Sequence, residues 1–142
     1  MPKTKLFEDK PVEQEIEELP ANCARFSDFQ KIYDNKLYEV ADLHLSDGEG
    51  NIAFTLTRTK LHHGQQTRSN TRDYNRIVQI QEGEGIFLLN NLAVKVKPGI
   101  VMVVPKGIKM KVINFKESTD LIYLQTLPAQ LIRTDVKRSG LL

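Results

Sequence analysis

The sequence predicts a single-domain, all-β protein, and three observations lead to this prediction. The chain has 142 residues, which is about the length of one domain. Between residues 36 and 128, short apolar stretches alternate with polar residues, as in strands that bury one face. Turn-forming residues separate these stretches at the short intervals typical of β-sandwiches and β-barrels. A helical pattern is confined to the residues before this region.

The first 35 residues are predicted to form an arm and a lead-in segment. Residues 1–20 carry three lysines against six acidic residues, so the arm is acidic while the rest of the chain is mildly basic. Between Pro11 and Pro20 the pattern predicts two helical turns, because proline is favoured at a helix start and acids in its first turn. A second short helical or irregular piece is predicted over residues 22–32. The barrel is assigned to residues 36–128 and a C-terminal tail to residues 129–142.

Eight strands are predicted within the barrel region. Asn90 and Asn91 form a plausible two-residue hairpin turn, since asparagine tolerates a positive φ. Further turns are predicted at residues 46–51 and 97–99, where glycine, proline and asparagine cluster. The predicted strands are residues 36–45, 52–61, 78–81, 86–89, 92–96, 100–104, 111–115 and 121–127.

Composition excludes several classes of protein. The net charge of +2 is too small to indicate nucleic-acid binding. The single cysteine, Cys23, rules out an internal disulfide and fits a reducing compartment. The longest apolar run, residues 100–104, is far shorter than the roughly 20 residues of a membrane-spanning helix, and no signal peptide is recognisable. We therefore expect a cytoplasmic protein without a membrane or nucleic-acid partner.

Two spaced motifs carry a resemblance to a known family. The first runs from Gly64 to Gly83 and the second from Gly99 to Asn114. The chain thereby resembles the cupin superfamily, whose first motif is glycine, five residues, His-x-His, three or four residues, Glu, six residues and glycine. Its second motif is glycine, five residues, Pro-x-Gly, two residues, His, three residues and Asn. The matching positions here are Gly64, Asn70, Arg72, Arg76 and Gly83, then Gly99, Pro105, Gly107, Met110 and Asn114.

The resemblance implies a small antiparallel β-barrel of the cupin jelly-roll type. In cupins the two His and the Glu of the first motif, and the His of the second, bind one metal ion inside the barrel. Asn70, Arg72, Arg76 and Met110 occupy those four positions. None is a good ligand for Fe, Mn, Ni or Zn, because arginine is always protonated and methionine suits only soft metals. We expect neither a metal nor another cofactor.

An anionic small molecule is the predicted substitute for the metal. Arg72 and Arg76 would face the barrel interior, where two cations need an anion or a buried acid to compensate them. Lys60 and His62 would join this site if their face of the strand turned inward. In the alternative, the arginines extend to the barrel mouth and are neutralised there by Asp73, Glu82 or water. Met110 is predicted to fill space in the cavity.

Three functional hypotheses follow from the resemblance. The first is a metal-free cupin that binds a sugar phosphate, nucleotide sugar or organic acid, with a metal-independent isomerase or epimerase as a special case. The second is a homodimeric interaction module that binds no ligand, because residues 69–73 are similar to the metal-free cupin of centromere-protein-C type kinetochore proteins. The third is an isomerase or oxygenase with unconventional metal ligands. No nucleophile or paired carboxylate marks a catalytic residue, and a homodimer is expected to pair through an outer sheet face.

The purified protein should carry no stoichiometric transition metal, because all four ligand positions hold unsuitable side chains. Elemental analysis after dialysis against a chelator measures this directly. A stoichiometric amount of Fe, Mn, Ni or Zn that survives the dialysis would contradict the prediction and favour the third hypothesis.

Overall fold

A computed structural model describes residues 18–128 of the chain. These residues form a short 3-10 helix, Phe26–Asp28, followed by nine strands. No helix among them is long and apolar enough to cross a membrane. The strands are β1 (Gln30–Asp34), β2 (Tyr38–Ser46), β3 (Ile52–Leu61), β4 (Arg76–Glu82), β5 (Gly85–Leu89), β6 (Leu92–Val96), β7 (Val101–Val104), β8 (Met110–Ile113) and β9 (Leu121–Pro128).

The strands form two antiparallel sheets. The large sheet has the order β1-β2-β3-β9-β4-β7, and the small sheet has the order β6-β5-β8. β9 lies between β3 and β4 in the large sheet, so the end of the described chain is held at the centre of that sheet. The aromatic rings of Phe87 in β5 and Tyr123 in β9 pack edge to face across the two sheets, with their centroids 5.2 Å apart.

Alternating burial explains how these sequences form a barrel wall. In β3 the side chains of Thr55, Thr57, Thr59 and Leu61 are buried, and their neighbours are not. Successive side chains of a strand point to opposite faces, so these four line the barrel interior. The apolar core lies where the two sheets meet, and its members include Val40, Leu61, Val78, Phe87, Met110, Val112, Leu121 and Tyr123.

The predicted all-β architecture is confirmed, and eight of its strands lie where the sequence placed them. Asn90 at the β5–β6 turn has a φ of 54°, as the hairpin prediction requires. The lead-in segment needs a correction, because β1 pairs with β2 and extends the large sheet into residues 30–34. The central residue of β1 is half-buried, and the other four are exposed. Because neither face of β1 is buried, its sequence lacks the alternation of apolar and polar residues that predicts a strand. Most of the helix expected between Pro11 and Pro20, and the tail at residues 129–142, lie outside the described residues.

The corner between β4 and β5 depends on a glycine of the first motif. Gly83 has a φ of +82°, a conformation that residues with a side chain rarely adopt. A Cβ atom on Gly83 would collide with the backbone carbonyl oxygen of Asp120, which precedes β9. The absence of a side chain thus allows the corner to pack against the β8–β9 loop.

Gly83→Ala should therefore destabilise the protein more than a glycine substitution whose only cost is the unfavourable positive φ. Gly99→Ala is the matched control, since Gly99 has a φ of +95° but open space around the added methyl group. We expect Gly99→Ala to cost about 1 kcal/mol and Gly83→Ala about 2–4 kcal/mol, because overpacking adds to the strain. Urea denaturation measures both. Equal losses would show that the contact with Asp120 is easily relieved.

Candidate functional site

Backbone pairing brings the two sequence motifs together. Asn70 and Met110 exchange two backbone hydrogen bonds, of 2.9 and 2.7 Å. Nearby, the Thr67 backbone N–H donates to the carbonyl of Val112, and the Val112 N–H donates to the Thr67 hydroxyl, at 2.8 and 2.9 Å. The segment before β4 is therefore laid along β8, and this places a position of the first motif beside one of the second.

Asn114 of the second motif has a structural role. Its side chain is buried and donates hydrogen bonds from Nδ2 to the carbonyls of Leu61 and Thr119, at 3.0 and 2.8 Å. Its Oδ1 accepts a hydrogen bond from the Lys116 backbone N–H at 3.1 Å. The side chain thus joins the end of β3 to the β8–β9 loop.

Arg76 lies inside the barrel and contacts Asn70. It is the first residue of β4, and its side chain is only 1% exposed. The guanidinium Nη1 donates a hydrogen bond of 2.7 Å to Asn70 Oδ1. Asn70 and Met110 are buried as well. Three of the four positions that resemble metal ligands are therefore brought together in the interior.

Arg72 is also buried, with 8% of its surface exposed. Its backbone carbonyl accepts a hydrogen bond of 2.9 Å from Gly107, and its Nη1 lies 3.5 Å from the carbonyl of Thr71. Asp73 and Glu82, the acids suggested as partners at the mouth, are both exposed. The burial of both arginines favours the hypothesis that places them in the interior.

Lys60 and His62 do not join the arginines. The inward-facing side chains of the β3 strand are Thr59 and Leu61, so the Lys60 face turns outward. Lys60 lines a groove of about 670 Å³ on the outside of the barrel, together with residues of three loops. His62 Nδ1 lies 3.4 Å from the carboxylate of Asp120 in one of these loops. The condition under which Lys60 and His62 would join the site, an inward-turned strand face, is therefore not met.

The barrel interior contains polar side chains that sequence analysis missed. Thr57 donates a hydrogen bond from Oγ1 to Asp42 Oδ1 at 3.2 Å, and both residues are buried. The Tyr123 hydroxyl, the Thr59 hydroxyl and the side-chain carbonyl of Gln125 are buried as well. The alternating threonines of β3 are visible in the sequence and could have indicated a polar interior. The identity of the residues opposite them depends on how the strands pair, which the sequence does not show.

Tyr123 keeps its proton in this environment. Burial raises the pKa of Tyr123 well above that of an ordinary tyrosine, while the Thr59 hydroxyl and the Arg76 guanidinium oppose the rise. Both groups therefore lie close enough to act on the phenol. The neutral hydroxyl is a hydrogen-bond donor beside a buried cation.

The four positions that resemble metal ligands do not fit a metal ion. The side-chain oxygen of Asn70 accepts a hydrogen bond from the Arg76 guanidinium, so a permanent cation already occupies its acceptor. Arg72 and Arg76 have no lone pair to offer. Among residues 18–128, no group of three or more His, Cys, Asp or Glu side chains is arranged to hold a metal. These four side chains therefore offer hydrogen-bond donors, which suit an anion, and lack the lone-pair ligands that a metal cation needs.

Comparison with solved structures identifies the fold. An RmlC-like cupin from Shewanella frigidimarina aligns with a TM-score of 0.60 and 10% identity, over 75% of this chain and 88% of that chain. A predicted oxalate decarboxylase from Thermotoga maritima aligns with a TM-score of 0.56 and 25% identity, over 75% and 98% of the two chains. Hazelnut vicilin aligns with a TM-score of 0.63 and 15% identity, over 75% of this chain and 33% of that chain.

The chain has the cupin fold. The resemblance seen in the motif spacing and the predicted jelly-roll barrel are thereby confirmed. No family model matches the sequence, and no curated protein matches it either. The structural neighbours include enzymes and storage globulins, so the fold alone assigns no activity.

Tyr123→Phe should reduce the loss of stability at alkaline pH. The pKa of the Tyr123 hydroxyl is higher in the folded state than in the unfolded state. As the pH rises above the unfolded pKa, the unfolded state loses the proton first, so the free energy of unfolding falls. The wild type should lose about 1.4 kcal/mol per pH unit from this residue above about pH 10, and the variant should lack this loss. Denaturation curves between neutral and alkaline pH measure the difference. Tyr33→Phe, which alters an exposed ring, is the control, and an identical pH dependence in wild type and Tyr123→Phe would contradict the prediction.

Proposed function

We propose that the protein is a metal-free cupin that binds a small organic anion inside its barrel, next to Arg76. The observation that carries the proposal is the charge of the interior. The buried charged residues of the described chain are Arg72, Arg76 and Asp42. Two buried guanidinium groups attract an anion more strongly than they would in water, because charges in a water-poor interior are weakly screened. A small anion beside Arg76 would gain from this attraction.

The hydrogen-bonding groups around Arg76 support the same class of ligand. Arginine binds carboxylates through two parallel N–H donors, and the Tyr123 and Thr59 hydroxyls supply further donors. An anion that accepts hydrogen bonds from these hydroxyls would gain contacts for which water does not compete, since both hydroxyls are buried.

The filled interior favours the smallest of the predicted ligands. Met110, Phe87 and Leu61 are fully buried side chains of the interior. Three cavities of the described chain, of about 670, 240 and 110 Å³, have neither Arg72 nor Arg76 in their linings. An organic acid of a few atoms therefore fits better than a sugar phosphate or nucleotide sugar. The Thermotoga neighbour is named for such an acid, oxalate.

Isothermal titration with acetate, oxalate, phosphate and glucose 6-phosphate tests the proposal. The wild type should bind a carboxylate more tightly than the two phosphates, because the side chains that fill the interior oppose the entry of a larger anion. Tyr123→Phe should weaken this binding roughly five-fold, the equivalent of about 1 kcal/mol for one hydrogen bond. Arg72→Lys keeps the charge but loses the guanidinium geometry, and should also weaken binding.

Lys95→Gln is the matched control, since it removes an exposed positive charge from the small sheet. Its affinity should equal that of the wild type. If Tyr123→Phe and the wild type bind with the same affinity, the anion lies elsewhere. If no carboxylate binds the wild type, the polar interior is structural and the proposal fails.

A further inference from the structure

A second polar cavity lies where the edge strand β1 of the large sheet meets the segment that runs along β8 of the small sheet. It has a volume of about 110 Å³, and its lining contains neither Arg72 nor Arg76. One wall is formed by the end of β1 and the β1–β2 turn, and the other by residues 66–68. We call this cavity the side pocket. It is separate from the arginines of the barrel interior.

Hydrogen bonds hold both walls of the side pocket in place. In the β1–β2 turn, Asn35 Oδ1 accepts hydrogen bonds from the backbone N–H groups of Leu37 and Tyr38, at 2.8 and 3.0 Å. In the opposite wall, Thr67 makes two hydrogen bonds to Val112 of β8. Tyr38 and Thr67 are buried and form the deeper part of the side pocket. A ligand would therefore meet a cavity that is already formed, as is usual for binding sites.

The polar groups at the opening of the side pocket are hydrogen-bond donors. Arg68 makes neither a hydrogen bond nor an ion pair within residues 18–128. Because Asn35 Oδ1 already accepts two hydrogen bonds, the side-chain amide offers its Nδ2 donors to a ligand. Tyr33, which is 44% exposed, adds a phenolic hydroxyl. All three residues line the side pocket.

The donors of the two walls lie close together. Burial raises the pKa of Tyr38, the nearby Tyr33 hydroxyl adds to the rise, and the Arg68 guanidinium opposes it. The rings of Tyr33 and Tyr38 pack edge to face, with their centroids 5.6 Å apart. The guanidinium of one wall is therefore close to the aromatic pair of the other.

No carboxylate of the described chain competes for these donors. None of the described residues that line the side pocket is acidic. The acids next to it in sequence, Asp34 and Glu39, each lie 3.3 Å from the ammonium group of Lys31. Arg68 thus gives the side pocket a positive charge, and the charge and the donors together suit an anion.

We propose that the side pocket binds the phosphate group of a small phosphate ester. A phosphate group offers three acceptor oxygens and carries about 1.5 to 2 negative charges at neutral pH, so it uses donors from both walls at once. Arginine binds phosphate through two parallel N–H donors. The exposed ring of Tyr33 would pack against the organic part of the ester. The proposal does not depend on any ligand in the barrel interior.

Two-dimensional nitrogen–proton NMR of the full chain, titrated with inorganic phosphate, phenyl phosphate and acetate at constant pH and ionic strength, tests this proposal. Inorganic phosphate should shift the backbone amides of residues 33–38 and 66–68 with a Kd of about 1–10 mM, as expected for one partly exposed guanidinium. Phenyl phosphate should bind about two- to five-fold more tightly, because its ring contacts Tyr33. Acetate should bind there at least about ten-fold more weakly than phosphate, since it has two acceptor oxygens and one charge.

Arg68→Ala should weaken phosphate binding at least about ten-fold, because it removes the charge and the paired donors. Arg68→Lys should recover only part of the affinity, since the ammonium keeps the charge without the paired donors. Lys36→Gln is the matched control, because it removes an exposed positive charge from the same turn at a residue that does not line the side pocket. Its affinity should stay within about two-fold of the wild type, since salt screens an exposed charge.

Four results would overturn the proposal. Phosphate shifts that persist in Arg68→Ala, or that spread over the surface without saturating, would show that the side pocket is not the site. Equal affinity for acetate and phosphate would exclude a phosphate site. Phenyl phosphate that binds no more tightly than inorganic phosphate would replace the ester by the free ion. Shifts confined to residues 70–76 would place the phosphate in the barrel interior, where carboxylate binding is tested separately with Tyr123→Phe.

Discussion

The buried guanidinium of Arg76 is the constraint on which the interior of this barrel depends. Arginine does not lose its proton in a protein, so its charge cannot be removed as that of a buried lysine can. With only 1% of the residue exposed, water cannot solvate it, and the protein must supply acceptors. Asn70 gives one at 2.7 Å, and the carboxylate of Asp42 lies in the same interior. The polar lining of this end of the barrel follows from that need.

The cupin motifs combine two kinds of residue that have separate physical roles. Gly83 and Asn114 determine how corners and loops pack, and they do so through a positive φ and through side-chain hydrogen bonds to backbone carbonyls. Neither role involves the contents of the barrel. Asn70, Arg76 and Met110 occupy the positions that face inward. The fold can therefore persist after a metal site is replaced, because the residues that form its corners are not the ones that would bind the ion.

Sequence predicted those parts of the structure that local patterns determine. The strands follow from alternation and the corners from motif spacing, but the motif position of Arg76 left open whether its guanidinium lies inside the barrel or at its mouth. The interior contacts of Tyr123, Gln125 and Asp42 depend on the register between strands that are far apart in the chain, which no local pattern reveals. The orientation of Lys60 stayed open for a related reason: alternation separates the two faces of a strand but does not say which one turns inward.

Two neighbouring rows of the large sheet depart from the usual polarity of a barrel wall, although the rest of its inner face belongs to the apolar core. Across five strands, one inward-facing row reads Asp42, Thr57, Gln125, Val78 and Met102, and the adjacent outward-facing row reads Leu43, Leu56, Thr126, Ile77 and Val103. The hydrophobic effect alone would favour the opposite arrangement. Polar side chains inside are retained if they compensate a charge or hold a ligand, and apolar side chains outside are retained if another surface covers them. A binding site within the barrel would account for the polar inner row, whereas the apolar outer row does not face that site and needs a separate explanation.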